Sequence, residues 1–369
     1  MNKQAITGVI IALALLLSLS LSGTAHAKLT PYGYIKLDAS YDQTQTNDGN
    51  FVYIVLPQDK SDDEFNMTAK QTRLGLSFQE DDSVCPKVTG KVELDFYGGG
   101  AENKPNPMLR HAFMELSYPG FSLLAGQTSD LYAPLNPTTL NYIVLWKCGN
   151  TGYRRPQIRL TKTVAVGEKA NLTLAGSLNR TVGKDQDGED AALPAVMGRI
   201  AFSTRLNGQK FATLGISGLY GREESDVLEE TFESEAVAVD LTIPLGQKAS
   251  LKGEYYMGQN MASYLGGIGQ GIDLDHPEEV ESSGGWGHLA VKLNTYTSLN
   301  LGAGRDDPEL KKGDTVNMLD ENLSYFGNII WALHTAVSMG VEYLGTETSY
   351  ADGESYQNHR GQLSFIYKF

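Results

Sequence analysis

Cysteine is nearly missing from this chain: Cys85 and Cys148 are the only two in 369 residues. A disulfide-stapled scaffold needs several pairs in a short chain, so that class is excluded. There is no C-x-x-C, the six histidines are scattered, and no acidic run has the spacing of an EF-hand loop. No cofactor and no metal are implied. Positive charge is also short. Thirty Lys and Arg stand against 44 Asp and Glu, a formal net charge of -14, which disfavours a nucleic-acid partner. Neither G-x-S-x-G nor H-E-x-x-H occurs, and nothing sets a nucleophile beside a base. His111, His288 and His359 fall on or near strands, but an enzyme is the weakest of the readings.

After residue 27 no apolar run is long enough for a membrane helix. The first residues differ. "MNKQ" leads into the apolar "AITGVIIALALLLSLSLSG", and "TAHA" follows with small residues at Ala25 and Ala27. This is the layout of a secretory signal peptide, residues 1–27, with cleavage expected after Ala27. An uncleaved anchor is the alternative, because the run is long enough to span. The 342 residues from Lys28 to Phe369 show no linker and no break in composition, so they are read as one domain, 28–369.

What is abundant is glycine (40), tyrosine (19) and alternation. In "TRLGLSF" Leu74, Leu76 and Phe78 oppose Arg73, Gly75 and Ser77. In "VAVDLTI" Val237, Val239, Leu241 and Ile243 oppose Ala238, Asp240 and Thr242. The terminal "GQLSFIYKF" behaves the same way. Period 2 gives each strand one apolar and one polar face. A soluble sandwich shows this too. Three features separate the cases: the polar face carries charges of both signs, short turns alternate with long connections, and the chain stops on an aromatic, amphipathic strand. The spacing predicts sixteen strands, about 21 residues per strand and loop, as in a porin-sized barrel. Backbone groups in lipid must be paired, so the sheet must close. The fold class read is all-β: a 16-stranded antiparallel transmembrane β-barrel with a long third loop folded into the lumen.

The charge is unevenly placed. Acids crowd the long connections, at 184–190, 222–235 and 273–281, as a solvated surface would; bridging by divalent cations to an anionic outer leaflet is the specific alternative. Residues 126–166 reverse the sign, with five bases against one acid, Asp130. Within them "LYAPLNPTTLNYIVLWKCGNTGY" is too apolar to extend into water, and the lumen is the place for it to pack. Asp130, Tyr132, Asn136, Tyr142 and Trp146 are its expected constriction residues. In "YRRPQIRLTK" Ile158 and Leu160 lie on one face and Arg155, Gln157 and Arg159 on the other, so the two arginines face the channel if the aliphatics face lipid. Arg73 follows by the same parity. Arg110 and Arg199 sit in strands that alternate poorly. Inward guanidinium groups favour anions and offer bidentate bonds to carboxylate or phosphate. Alternatively they only neutralise lumen carboxylates such as Glu93, Asp95 and Glu115.

"GKVELDFYGGGAENKPNPMLRHAFMEL", "FSLLAGQTSDLYAPLNPTTLNY" and "GNTGYRRPQIRLTK" together resemble the DcaP-like trimeric porins of bacterial outer membranes, most densely over 67–163. The resemblance implies a homotrimer, a third loop in each channel and uptake of small carboxylates or other anions. It carries those roles onto Arg110, Arg154, Arg155 and Arg159, and makes Phe369 the signal read by the assembly machinery. Two features depart from the family: the acidic loops, and Cys148 in the constriction loop. Cys85 falls at a periplasmic turn, and a bridge needs Cα atoms within roughly 7 Å, so the two thiols are expected to stay separate. The function read is therefore an outer-membrane channel for small hydrophilic solutes with anion preference, in contact with outer-membrane lipid and lipopolysaccharide. A plugged structural or adhesive barrel is the alternative.

Overall fold

The computed structural model describes residues 27–57, 62–80, 85–181, 191–206, 210–225, 228–274, 276–310 and 318–369. The expected signal peptide lies outside these except for Ala27, as does the acidic run at 184–190. The chain forms sixteen antiparallel strands. They are β1 Lys28–Asp42, β2 in two segments (Glu64–Thr68 and Arg73–Gln79), β3 Lys87–Asp95, β4 Met108–Tyr118, β5 Phe121–Ser129, β6 Arg154–Val166, β7 Ala170–Asn179 and β8 Ala195–Leu206. The second half comprises β9 Lys210–Ser225, β10 Glu230–Leu245, β11 Ala249–Gln259, β12 Glu281–Lys292, β13 Thr297–Pro308, β14 Leu319–Ala332, β15 Val337–Tyr350 and β16 Ser355–Lys368. Each strand pairs with the next, and β16 pairs with β1 from Tyr34–Lys368 to Asp42–Arg360, closing the barrel. Closure leaves no free strand edge, which is what a sheet in hydrocarbon requires.

The two faces have opposite chemistry. Leu37, Leu160, Ile200, Ile216, Val239 and Phe365 are exposed on the outside, while their chain neighbours Asp38, Arg199, Ser217, Asp240 and Ser364 point inward or are buried. An apolar surface that runs around the whole barrel is far larger than a soluble monomer tolerates, and marks the face as lipid-contacting. The period-2 reading of the strands is thus what the structure shows.

The strand count is the one the spacing predicts, and two stretches depart from a plain reading of the sequence. The second strand is not uninterrupted. Between the pairs Asp38–Thr68 and Tyr34–Arg73, β1 advances four residues and β2 advances five, so β2 carries a bulge. Thr72 repairs the ladder there: its hydroxyl accepts from the Lys36 amide (3.1 Å) and donates to the Lys36 carbonyl (3.3 Å). The acid-rich stretch 222–235 is mostly sheet, because β9 and β10 pair out to Ser225 and Glu230. Its charge is partly used: Glu233 accepts from Arg222 and from the Tyr220 hydroxyl.

Candidate channel lining

Residues 130–153, between β5 and β6, are mostly buried, with Asn136 and Thr138 exposed. Leu131, Leu140, Ile143, Leu145 and Trp146 supply the reason, since their apolar surface needs cover. They pack in separate clusters: Leu131 and Tyr132 against inward Met197, Leu219 and Tyr256; Leu145 and Cys148 against Trp286, Phe326 and Leu344. Tyr142, Ile143 and Trp146 meet Phe51, Tyr53, Tyr97 and Tyr153.

A buried segment without secondary structure must also find partners for its backbone. Wall side chains provide them. Leu135 N–H donates to Glu254 on β11 (2.7 Å), and Lys252 donates to the Asn136 carbonyl (3.0 Å). Asn328 on β14 donates to the Thr138 carbonyl, and Asn322 to the Lys147 carbonyl. The amides of Leu140 and Asn141 donate to Glu342 on β15 at 2.6 and 2.8 Å. Gly149 has φ +88, and a Cβ there would meet the Gly285 and Arg305 carbonyls at 2.3 and 2.4 Å, so only glycine lets the segment lie this close to β12 and β13. Glu254, Asn322, Asn328 and Glu342 are buried residues of the wall strands, on the face opposite the exposed apolar one. Phe51 and Tyr53 pack against it, Arg360 donates to the Asn50 carbonyl beside them, and Gly152 N–H donates to the Tyr264 carbonyl.

The six arginines singled out in the sequence do not form one ring. Arg155 is fully buried. Its Nε donates to Asp130 (2.9 Å), one Nη donates to the Ser263 carbonyl, and the guanidinium lies 4.2 Å from the centre of the Tyr264 ring. Arg159, on the same face, is half-buried; it donates to Gln157 (2.9 Å) and to the Ser129 carbonyl, and has no carboxylate within ion-pair distance among the described residues. Arg154 is 7% exposed and stacks between Tyr153 (4.5 Å) and Trp146 (5.7 Å). Among the described residues it too lacks a carboxylate partner, and its buried Nε and one Nη have no hydrogen-bond acceptor. Arg199 is clamped to Asp240 through two bonds of 3.0 and 2.6 Å. That pair spans β9, and a Cβ on Gly215 would meet the Asp240 oxygen at 2.1 Å.

Arg110 and Arg73 belong to a cluster centred on Glu93. Glu93 accepts from the Tyr32 hydroxyl and from Arg110 Nε, each at 3.0 Å, and lies within ion-pair distance of Lys91 (3.1 Å), Arg73 (3.8 Å) and His111 (3.9 Å). Arg110 also reaches Asp95 (2.5 Å) and the Tyr142 hydroxyl (3.3 Å). The poor alternation of "LRHAFMEL" has a local cause. Glu93 pairs with His111 and Leu94 with Leu109, so Arg110 is a bulged residue and both it and His111 turn inward. The strand of Arg199, by contrast, alternates regularly. The side chains of Arg73, Lys91 and His111 keep 25%, 31% and 15% exposure inside the barrel, so this part of the wall is wet.

Among the expected constriction residues, Tyr132 is fully buried under the segment, Asn136 accepts from Asn150 (3.1 Å), and Tyr142 and Trp146 present their rings to the arginine side. Burial pushes the Asp130 carboxyl up from its ordinary value against the opposing pull of Arg155, and raises the Tyr142 hydroxyl to about 12. Both cysteines are free thiols. Cys85 is exposed; Cys148 is buried at 3.1 Å from the Ser324 hydroxyl, and burial lifts its pKa to about 12. Phe369 is half exposed and closes the last strand onto β1 by reciprocal backbone bonds with Gly33 (3.2 Å). Sequence reasoning did not assign a role to Lys36, Glu254, Asp306 and Glu342, the buried wall groups that bind the inner segments. Their signal was present as charges at inward positions of "YIKLDAS", "GEYYM", "GRDD" and "GVEYL", but the partners lie far away in the chain.

No protein-family model and no curated protein matches the chain. Solved structures do. The outer membrane channel DcaP of Acinetobacter baumannii aligns at a TM-score of 0.78 with 21% identity, over 95% of this chain and 100% of that one. An anion-selective porin from Comamonas acidovorans aligns at 0.61 with 12% identity, over 93% and 100%. OmpF of Salmonella typhi, in complex with daunomycin, aligns at 0.61 with 12% identity, over 93% and 98%. At these identities the likeness is one of architecture, and it agrees with the resemblance drawn from residues 67–163. The chain has the fold of the outer-membrane porins.

Proposed function

We propose that this protein is an outer-membrane porin: a water-filled channel for passive uptake of small hydrophilic solutes, with preference for anions such as carboxylates. The observation that carries the reading is the asymmetry of the interior. Residues 130–153 are bound to β11, β14 and β15, while the inward bases Arg73, Lys91, Arg110, Arg154 and Arg159 lie on β2, β3, β4 and β6. A solute passing between segment and wall meets Tyr142, Trp146 and a net-positive surface. Arg159, half-buried on the inward face of β6, is the more accessible guanidinium, and such a group is fit for a carboxylate; Arg154, covered by Tyr153 and Trp146, adds its charge from behind them. The reading includes export by the 1–27 signal, assembly directed by Phe369, a homotrimer as in the trimer form of OmpT from Vibrio cholerae, and an acidic rim facing lipopolysaccharide. It includes no cofactor and no catalysis.

The second reading, a structural barrel, is favoured by one observation: three connections hydrogen-bond to buried side chains of the wall, at Asn50, Leu140 and Gly267. Reversal potential in a planar bilayer under a KCl gradient separates the two. Anion preference that collapses in Arg154→Ala/Arg159→Ala supports the porin reading. Absence of conductance from the folded wild type supports the structural one. Arg155 is left intact in this test because it is locked to Asp130.

A further inference from the structure

The proposed channel needs its inner segment held in one place, and the wall offers one contact that grips both sides of a peptide. Glu342, 5% exposed on β15, accepts from the amides of Leu140 (2.6 Å) and Asn141 (2.8 Å), from the Asn141 side chain (2.8 Å) and from Asn328 (2.9 Å). One carboxylate thus uses both oxygens on four donors. On the next strand but one, Lys36, 3% exposed, donates to the Leu140 carbonyl at 2.5 Å. Lys36 is itself held by Asp38 (3.1 Å) and Gln71 (2.6 Å). The two charged groups close over the same residue from opposite sides, at its N–H and at its C=O.

We infer that Glu342 and Lys36 form a latch on Leu140 and Asn141, and that this latch sets the position of the segment and therefore the cross-section of the channel. The inference rests on the porin reading. Its logic is energetic. Other wall groups bind the inner backbone too, Asp306 at Gly149 and Gly267 and Asn322 at Tyr53 and Lys147, but at Leu140 a carboxylate takes the N–H and an ammonium the C=O of one residue, and the same carboxylate holds the next amide. Leu140 sits 12 residues before Gly152 and 10 after Asp130, near the middle of the segment, so release there frees the longest span. Glu342 and Lys36 are positioning residues: in this arrangement they touch the segment rather than the solute.

The test is amide hydrogen exchange together with single-channel recording, on the full-length protein in detergent and in bilayers. The variants are Glu342→Ala and the milder Glu342→Gln, which keeps one acceptor oxygen. Retention of folded mobility on unboiled gels checks the barrel. Expected for Glu342→Ala is exchange at Leu140 and Asn141 faster by about tenfold or more, as local opening becomes easier. Leu135 and Cys148 amides, anchored elsewhere, keep their protection. The open channel should show added substates and current noise, with Glu342→Gln intermediate. Folded Glu342→Ala with unchanged exchange at 140–141 and unchanged noise overturns the latch. A silent wild type in bilayers instead defeats the porin reading, and exchange still decides whether the latch holds the segment.

Discussion

At the scale of single residues, charge inside this barrel is mostly paired, and the exceptions matter. Arg155 shows what pairing means. With Asp130 it forms a fully buried ion pair, so removing either partner strands the other. Arg155→Ala should destabilise the folded barrel by about 3–5 kcal/mol, while the double change with Asp130→Asn should cost less; urea unfolding followed by tryptophan fluorescence measures both. Cysteine gives a second test. With its thiol raised to about 12, Cys148 is overwhelmingly protonated at pH 8 and is shielded from reagent, whereas Cys85 is exposed. Maleimide should therefore label one thiol in the native protein and two after denaturation. Labelling of both in the folded state would mean the segment opens. Glu93 provides a third. It is the counter-charge for Arg73, Lys91 and Arg110, so Glu93→Gln should move the reversal potential further toward anions. No movement would place this cluster outside the ion path.

At the scale of elements, two irregularities and one glycine position the lining. The bulge at Arg110 puts two consecutive basic side chains, Arg110 and His111, into the lumen. The bulge in β2 is stitched by Thr72, and Thr72→Val should cost about 1–2 kcal/mol through the unsatisfied Lys36 backbone groups. The check is the shift of the unfolding midpoint. Neither bulge was legible beforehand: a run of alternating residues states which way side chains point only while the register is unbroken, and an extra residue changes the parity without leaving a mark in composition. The strands themselves were legible, and so was the shared parity of Arg73, Arg155 and Arg159; that of Arg199 was not, although its strand alternates regularly. What those arginines meet was not. Arg199 finds Asp240 two strands away, across Gly215, and no local pattern pairs positions 41 residues apart.

At the scale of the molecule, lipid outside and water inside act on the same strand. A charge placed on the outer face, as in Ile200→Arg, should cost about 2–4 kcal/mol near the bilayer midplane. The inward Ser203→Arg three residues along the same strand should be tolerated far better. The yield of heat-modifiable folded protein in vesicles compares the two. Period-2 alternation, the length of the chain and the rhythm of short and long connections were enough to determine the closed barrel, its strand count and its two faces. These are local properties, since each residue's face follows from that of its neighbour. Only the tertiary structure decided which inward charges stay available and where the inner segments lie. Glu342 grips residues 201 and 202 positions earlier, and Lys36 reaches 104 positions ahead. Such contacts arise because buried backbone N–H and C=O groups must be satisfied wherever the closed wall brings a charge within reach, and that reach exists only after closure.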